Sequence, residues 1–346
     1  MSLVRVGFIG VGGIAQSRHM PAISSVQDKA VIVSVYDTNK ERAKEVARTF
    51  KVDHVSDTYE ELLSLVDAVV ISTPNKFHSE IAIAALQADV HVLCEKPMAL
   101  TVAECDEMLL AAQKADKVLA IGYHYRYMKN AQAAKKVMFA NEIGTPIVIR
   151  VQAMRRRKVP GWGVFTNKEL QGGGSLMDYG CHLLDLALWL MGDATPVEVS
   201  GSQYNTLSKM PEQVNEWGDF DYETFDVDDH VTAYIRFDNG ATLLLETSWS
   251  ANIQADIENV SISGDRGGLD VFPFHVNQAK HGMLLDTVAP YIPGEEDPGI
   301  SQAIHFIDSC LGLAEPLVKP EEARKVSYLI ETIYKSSDLK RSITLS

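Results

Sequence analysis

The strongest constraint on this chain lies within its first fifteen residues. An apolar run that opens at Val4 and ends at Ile9 leads directly into Gly10-Val11-Gly12-Gly13-Ile14-Ala15. The run has the length of a buried strand, and the string after it fits G-x-G-x-x-A. In that pattern the first glycine makes a tight turn, the second lets backbone approach a pyrophosphate, and the small last residue lets helix pack closely on strand. A pyrophosphate rests well on such a helix N-terminus, where free N–H groups and the dipole favour an anion. Gly10, Gly12, Gly13 and Ile14 are therefore candidate cofactor contacts. A glycine-rich turn of another α/β protein reads the same in isolation, so context decides. Asp37 ends the second apolar run, 22 residues after Ala15, where a carboxylate is expected to hold ribose hydroxyls. It also repels a 2′-phosphate, and Thr38 and Asn39 follow it, with Arg42 the nearest arginine. NAD is therefore expected in preference to NADP.

The rest of the first third repeats the theme. Apolar runs at 30–36, 68–72, 90–94 and 118–121 alternate with helical patterns at 39–50, 59–65, 77–88 and 102–115. Near-continuous Val/Ile/Leu runs mark strands buried on both faces, so a doubly wound parallel sheet is expected. Thr101-Val-Ala-Glu104 is a capping box and marks a helix start. Near residue 123 the pattern changes. Helices are expected over 127–141 and 176–191, with a strand at 146–154 between them. Half-solvated hairpin strands follow, 231–237 and 241–249 joined by Asp238-Asn239-Gly240, then 260–263 and 269–272. Helices at 301–311 and 321–337 close the chain. The expected fold is α/β, an N-terminal Rossmann domain over 1–122 followed by a C-terminal α+β domain over 123–346. The second domain has an open, largely antiparallel sheet, and the last helix is expected to pack back on the first domain.

At roughly 100–200 residues per domain, a chain of 346 residues suits two domains. The formal net charge of -14 argues against nucleic acid and anionic membrane as partners. No apolar run approaches the ~18 residues of a membrane span, and no leader is apparent, so a cytoplasmic protein is expected. The four cysteines lack C-x-x-C spacing, which points to reduced thiols and no metal site.

Two further places carry chemistry. Thr73-Pro74-Asn75 ends one core strand, with His78 just beyond, and Glu95-Lys96-Pro97 follows another. Ligands of open α/β sheets bind outside these carboxyl ends, so Thr73, Pro74, Asn75, His78, Glu95 and Lys96 join the cofactor set. The Lys96 ammonium can hydrogen-bond a substrate hydroxyl and stabilise a developing alkoxide; a surface lysine in a loop is the other reading, and the position at the strand end, held by Pro97, favours function. The second place is Gly172-Gly173-Gly174, which precedes Asp178 and His182. Four residues apart, that pair shares a helical face, and a carboxylate beside an imidazole sets its tautomer and raises its basicity. A plain helix-surface pair has the same spacing, and two ligands are too few for a metal.

In this order, the glycine string, acidic residue, Thr-Pro-Asn, Glu-Lys-Pro and GGGxxxDxGxHxxD resemble the Gfo/Idh/MocA family, which includes glucose–fructose oxidoreductase and inositol dehydrogenase. The resemblance spans nearly the whole chain. It implies a catalytic set of Lys96, Asp178 and His182, with His182 as proton acceptor and all three lining the substrate pocket. It also places His124 and Arg126 near nicotinamide and substrate, implies a sugar or cyclic polyol substrate, and implies a homodimer or homotetramer joined through the open sheet. Relatives that cycle a tightly held NAD, or that bind dinucleotide as sensors without catalysis, define the alternatives. Trp162 is a further substrate-binding candidate, by stacking on a sugar ring or covering the pocket; core packing is its other reading. Arg155-Arg156-Arg157-Lys158 reads either as a site for an anionic substrate group or as a solvated or subunit-contact face.

Overall fold

A computed structural model describes residues 3–211 and 213–345. Strands β1 (Val4–Ile9), β2 (Ala30–Tyr36), β3 (His54–Val55), β4 (Ala68–Ile71), β5 (His91–Cys94) and β6 (Leu119–Ile121) form one sheet in the order β3-β2-β1-β4-β5-β6. Every pairing in it is parallel. β4 is wholly apolar and wholly buried, as expected of a strand covered on both faces. The strand order reverses between β1 and β4, so the crevice for a ligand opens at the carboxyl ends of those two strands. Helix ends follow local chemistry. Asn39 caps Lys40–Phe50 by accepting from Arg42 N at 3.1 Å, and Thr101 and Glu104 form a reciprocal box that starts Val102–Ala115.

The chain forms two compact units. One comprises the chain up to Tyr127 together with Glu295–Ser327; the other comprises Met128–Gly294 and the chain from Tyr328. The chain thus crosses between the units three times, in place of the single boundary expected near 122. The reason lies in the apolar face of the helix Pro298–Cys310. Its Ala303, Phe306 and Ile307 belong to the same buried cluster as Val4, Val6 and Phe8.

The second unit is built on β7 (Pro146–Met154), β8 (Pro196–Tyr204), β9 (His230–Phe237), β10 (Thr242–Ser248), β11 (Ile257–Gly264), β12 (Gly268–Asp270), β13 (His275–Lys280), β14 (Met283–Val288) and β15 (Ile343–Thr344). Among the described residues they form one sheet ordered β14-β13-β12-β11-β7-β10-β9-β8-β15. Asp238–Gly240 turns β9 into β10, with Gly240 at φ +84°. The sheet is mixed, because β10 also pairs β7 in parallel. Alternation sorts its faces. In β9, Val231, Ala233, Ile235 and Phe237 are buried, while Thr232, Tyr234 and Arg236 face outward. The helix Cys181–Met191 lies against β7 and β11 and buries Leu183, Leu184, Leu186 and Leu190. Among the described residues, no helix is long and apolar enough to cross a membrane.

Candidate active site

In the first unit the glycine string makes the turn its pattern requires. Gly10 sits at φ +82°, and a Cβ there would lie 2.7 Å from Ser72 O on the neighbouring strand end. Ser72 Oγ donates to Gly10 O at 2.7 Å and ties the two strand ends together. Side chains added at Gly12 or Gly13 would meet nothing within 4 Å, so the space above the turn is open to a ligand. Asp37 is buried at the rim. Its Oδ2 accepts from Val11 N at 3.0 Å and its Oδ1 from Asn39 N at 2.8 Å. Arg42 Nη2 lies 3.2 Å from Oδ1. At the end of β4, the Thr73 hydroxyl is buried with no protein partner, a polar atom suited to a ligand. These features fit a dinucleotide.

A second group lies at the end of β5. Glu95 Oε1 accepts from His19 Nε2 at 2.6 Å, and Oε2 accepts from Lys96 N at 3.1 Å. Burial would raise the Glu95 carboxyl, but the hydrogen bond and charge of His19, with Arg18 and Lys96 beyond, outweigh it and hold the group well below the ordinary range. Gly122 leaves room for this carboxylate, since a Cβ there would stand 3.1 Å from it. Arg18 Nη1 donates to His124 Nδ1 at 3.0 Å. Burial, then the Arg18 charge, pushes the His124 imidazole down to about 3, so it is neutral and accepting.

Two candidates take up internal tasks. His78 is fully buried, with Nδ1 2.8 Å from Pro97 O and Nε2 3.1 Å from Thr73 O. Both ring nitrogens thus face backbone, and the side chain fastens the Thr73 turn to the Lys96-Pro97 turn instead of reaching toward a cofactor. Arg126, expected at the substrate, is 1% exposed; its Nη1 donates to Leu317 O and to Glu322. Desolvated and ion-paired, it anchors the start of the helix Pro320–Leu339, and this corrects its assignment to the substrate.

In the second unit the triple glycine admits close neighbours. A Cβ on Gly173 would lie 2.2 Å from the Tyr334 hydroxyl, and one on Gly174 would lie 1.9 Å from Asp228 O. Leu176–Gly180, expected as α-helix, is a π-helical turn that runs into Cys181–Met191. Such widened turns recur at functional sites. Asp178 lies in the π turn and His182, 7% exposed, in the α-helix after it. Asp178 Oδ2 accepts from Trp249 Nε1 at 3.3 Å and lies 3.6 Å from Arg155 Nη1. The Arg155 guanidinium stacks 4.0 Å from the Tyr179 ring centroid and 4.6 Å from that of Trp217.

The roles of three residues here escape sequence reasoning. Asp228 holds the start of the helical segment through four bonds: Gly174 N (2.7 Å) and Tyr334 OH (2.7 Å) to Oδ1, Ser175 Oγ (2.9 Å) and Leu176 N (3.0 Å) to Oδ2. Trp249 and Arg155 hold Asp178. The rest of the basic run is engaged within the unit. Arg156 donates to Gln254 O and, through its backbone, to Asp256. Arg157 donates to Gln213 and Asn252, and Lys158 pairs with Asp256 and Glu216. The run laces two loops together. Trp162 is 53% exposed and stands against Trp217, with centroids 5.3 Å apart.

A parallel sheet of this order with this cradle puts the chain among the NAD-binding oxidoreductases. Comparison with known proteins makes this specific. Residues 4–123 match the oxidoreductase family with an NAD-binding Rossmann fold, and residues 131–270 match the GFO/IDH/MocA C-terminal domain. The chain is 33% identical over 347 residues to the D-glucoside 3-dehydrogenase of Escherichia coli (strain K12), covering 99% of this chain and 98% of that one. It is 26% identical over 352 residues to the myo-inositol 2-dehydrogenase of Thermotoga maritima, covering 99% and 98% respectively. A solved levoglucosan dehydrogenase in complex with NADH and levoglucosan has the same fold, with a TM-score of 0.84 at 24% identity over 99% of both chains. The chain belongs to the Gfo/Idh/MocA family of oxidoreductases.

Proposed function

We propose that this oxidoreductase oxidises a ring hydroxyl of a sugar or cyclic polyol, or reduces the corresponding ketone, with NAD(H) preferred over NADP(H). The names of its relatives, which refer to D-glucosides, myo-inositol and levoglucosan, support that substrate class. The observation that carries the reading is Asp178. Its carboxylate is held by Trp249 and Arg155 on the segment that also bears His182. A bound nicotinamide supplies the site that accepts or returns a hydride. Lys96 donates to the substrate oxygen and balances the negative charge that builds on it. His182 accepts the hydroxyl proton at a ring nitrogen, and Asp178 orients the imidazole and stabilises its protonated form. Asp37 accepts from the ribose hydroxyls; Arg42 is already paired with it, so no arginine is dedicated to a 2′-phosphate. The outward face of the second unit's sheet joins subunits. It carries a concavity of about 610 Å³ lined by Arg150, Ser200, Thr232, Tyr234, Leu244 and Glu246, an open sheet face that a partner can cover.

The test is a panel of sugars, cyclitols and sugar acids with NAD and with NADP, following absorbance of the reduced cofactor. Substrate-dependent NADH formation is expected. Product without bulk NADH would reassign the protein to cofactor cycling, and dinucleotide binding with no turnover on any member would make it a sensor.

A further inference from the structure

Trp162 and Trp217 stand out on the second unit's surface. They are 53% and 39% exposed, yet their placement is fixed. A Cβ on Gly161 would lie 2.7 Å from both Asp219 O and Phe220 Cβ, so the Trp162 loop and the Trp217 loop are in close backbone contact. Asn215 bridges them, accepting from Val159 N at 2.8 Å and donating to Val159 O and Gly218 O at 3.0 and 2.7 Å. Glu216 N donates to Arg157 O at 2.8 Å. Beneath, Phe165 meets Trp162 edge-on at 6.3 Å and packs on the buried Phe225–Trp249 cluster. Holding two large aromatic rings rigidly in solvent gives up burial that either side chain would gain by folding inward. A pre-ordered aromatic surface instead lowers the ordering cost of binding a ligand.

The pair is joined to the site already described. Trp217 stacks on Arg155, whose other face covers Tyr179 and whose Nη1 approaches Asp178 at 3.6 Å. Their chain neighbours Arg156 and Glu216 line a cavity of about 680 Å³ with Arg157 and Asn252. Flat aromatic faces beside charged and amide groups suit a ring with an apolar C–H face and a hydroxyl rim. We propose that the Trp162–Trp217 pair is an outer-ring subsite, and that the substrate is a glycoside. The ring linked through the anomeric oxygen stacks on the two indoles, while the ring being oxidised lies toward Asp178. This rests on Asp178 belonging to the catalytic set.

The experiment compares kcat/KM for free glucose, methyl β-D-glucoside, phenyl β-D-glucoside and a β-linked glucose disaccharide. It uses the full-length protein with NAD, both wild type and the variants Trp162→Ala, Trp217→Ala and Trp162→Phe. The wild type is expected to prefer the phenyl glucoside and disaccharide over the methyl glucoside by about tenfold. Each alanine variant should remove most of that preference, and Trp162→Phe should retain it. Unchanged selectivity in both alanine variants overturns the subsite, as does a wild type that turns over free sugars or cyclitols but no glycoside. NAD binding without turnover of any compound points instead to failure of the underlying dehydrogenase reading.

Discussion

Replacing Asp228 by asparagine tests what holds the helical segment that bears Asp178 and His182. The carboxylate is buried and accepts four hydrogen bonds, two on each oxygen. Asparagine keeps the shape but turns one oxygen into an NH2 group that faces one backbone N–H and one hydroxyl; the hydroxyl can turn to accept, the N–H cannot. A hydrogen bond to a charged group contributes ~1.5–3 kcal/mol, so the lost backbone bond costs about that much, and loss of the charge weakens the bonds that remain. Domains are stable by only about 5–15 kcal/mol, which makes this a large fraction. At about 2–4 °C per kcal/mol for a unit of this size, Tm should fall by roughly 3–12 °C. Tyr334→Phe removes one of the four bonds and should produce a smaller fall of the same kind. Differential scanning calorimetry reads both variants, and kcat at a temperature where each is folded reads the position of the segment. An Asp228→Asn protein melting within about 2 °C of wild type would refute the anchor.

His182→Ala should lower kcat ~10²–10⁴-fold, the usual contribution of a positioned base, with NAD affinity nearly unchanged; near-wild-type kcat would exclude it as proton acceptor. Asp37→Ala should weaken NAD binding and narrow its advantage over NADP, read as paired dissociation constants; tighter NADP binding by the wild type would contradict the ribose assignment. His124 stays neutral in the folded protein down to about 3, whereas an unfolded histidine takes a proton below ~6.5. Stability is therefore lost as pH falls through that window, by up to ~1.4 kcal/mol per pH unit from this group. Tm of His124→Gln should depend less steeply on pH between 6.5 and 4.5 than that of wild type, above the range where Glu95 contributes; equal slopes would count against it. Light scattering at micromolar concentration should find a dimer or tetramer, and a monomer alone would rule out association through the open sheet.

The parts of this molecule that were legible in its sequence are those whose cause is local. β1, β2 and β7 carry the bounds read from their apolar runs, and the capping box at Thr101 forms as spelled, because burial and capping act within a few residues. β8 escaped because Pro196–Tyr204 mixes Glu, Ser and Gln with its apolar residues, and its pairing with β9 supplies what its pattern lacks. The parallel contact of β7 with β10 joins segments about ninety residues apart, and no turn signal announces it. The site divides the same way. Asp178 and His182 are visible together because they lie four residues apart on one helical segment, while the residues that hold Asp178 and that segment are distant. Trp249 lies 71 residues from Asp178, and Asp228 lies 52–54 residues from the backbone it holds. Arg155 shows why composition alone misleads. Within a run of four cations it reads as solvated charge, yet two aromatic rings and a carboxylate claim its guanidinium. The π turn at Leu176–Gly180 has no residue signature either. Gly174 has one, and its cause is again remote: the close approach of Asp228 leaves no room for a side chain. A family motif of this kind therefore compresses tertiary contacts into a local string. That is why the string identifies the family, and why it is silent on the residues that hold its Asp178 and His182 segment in place.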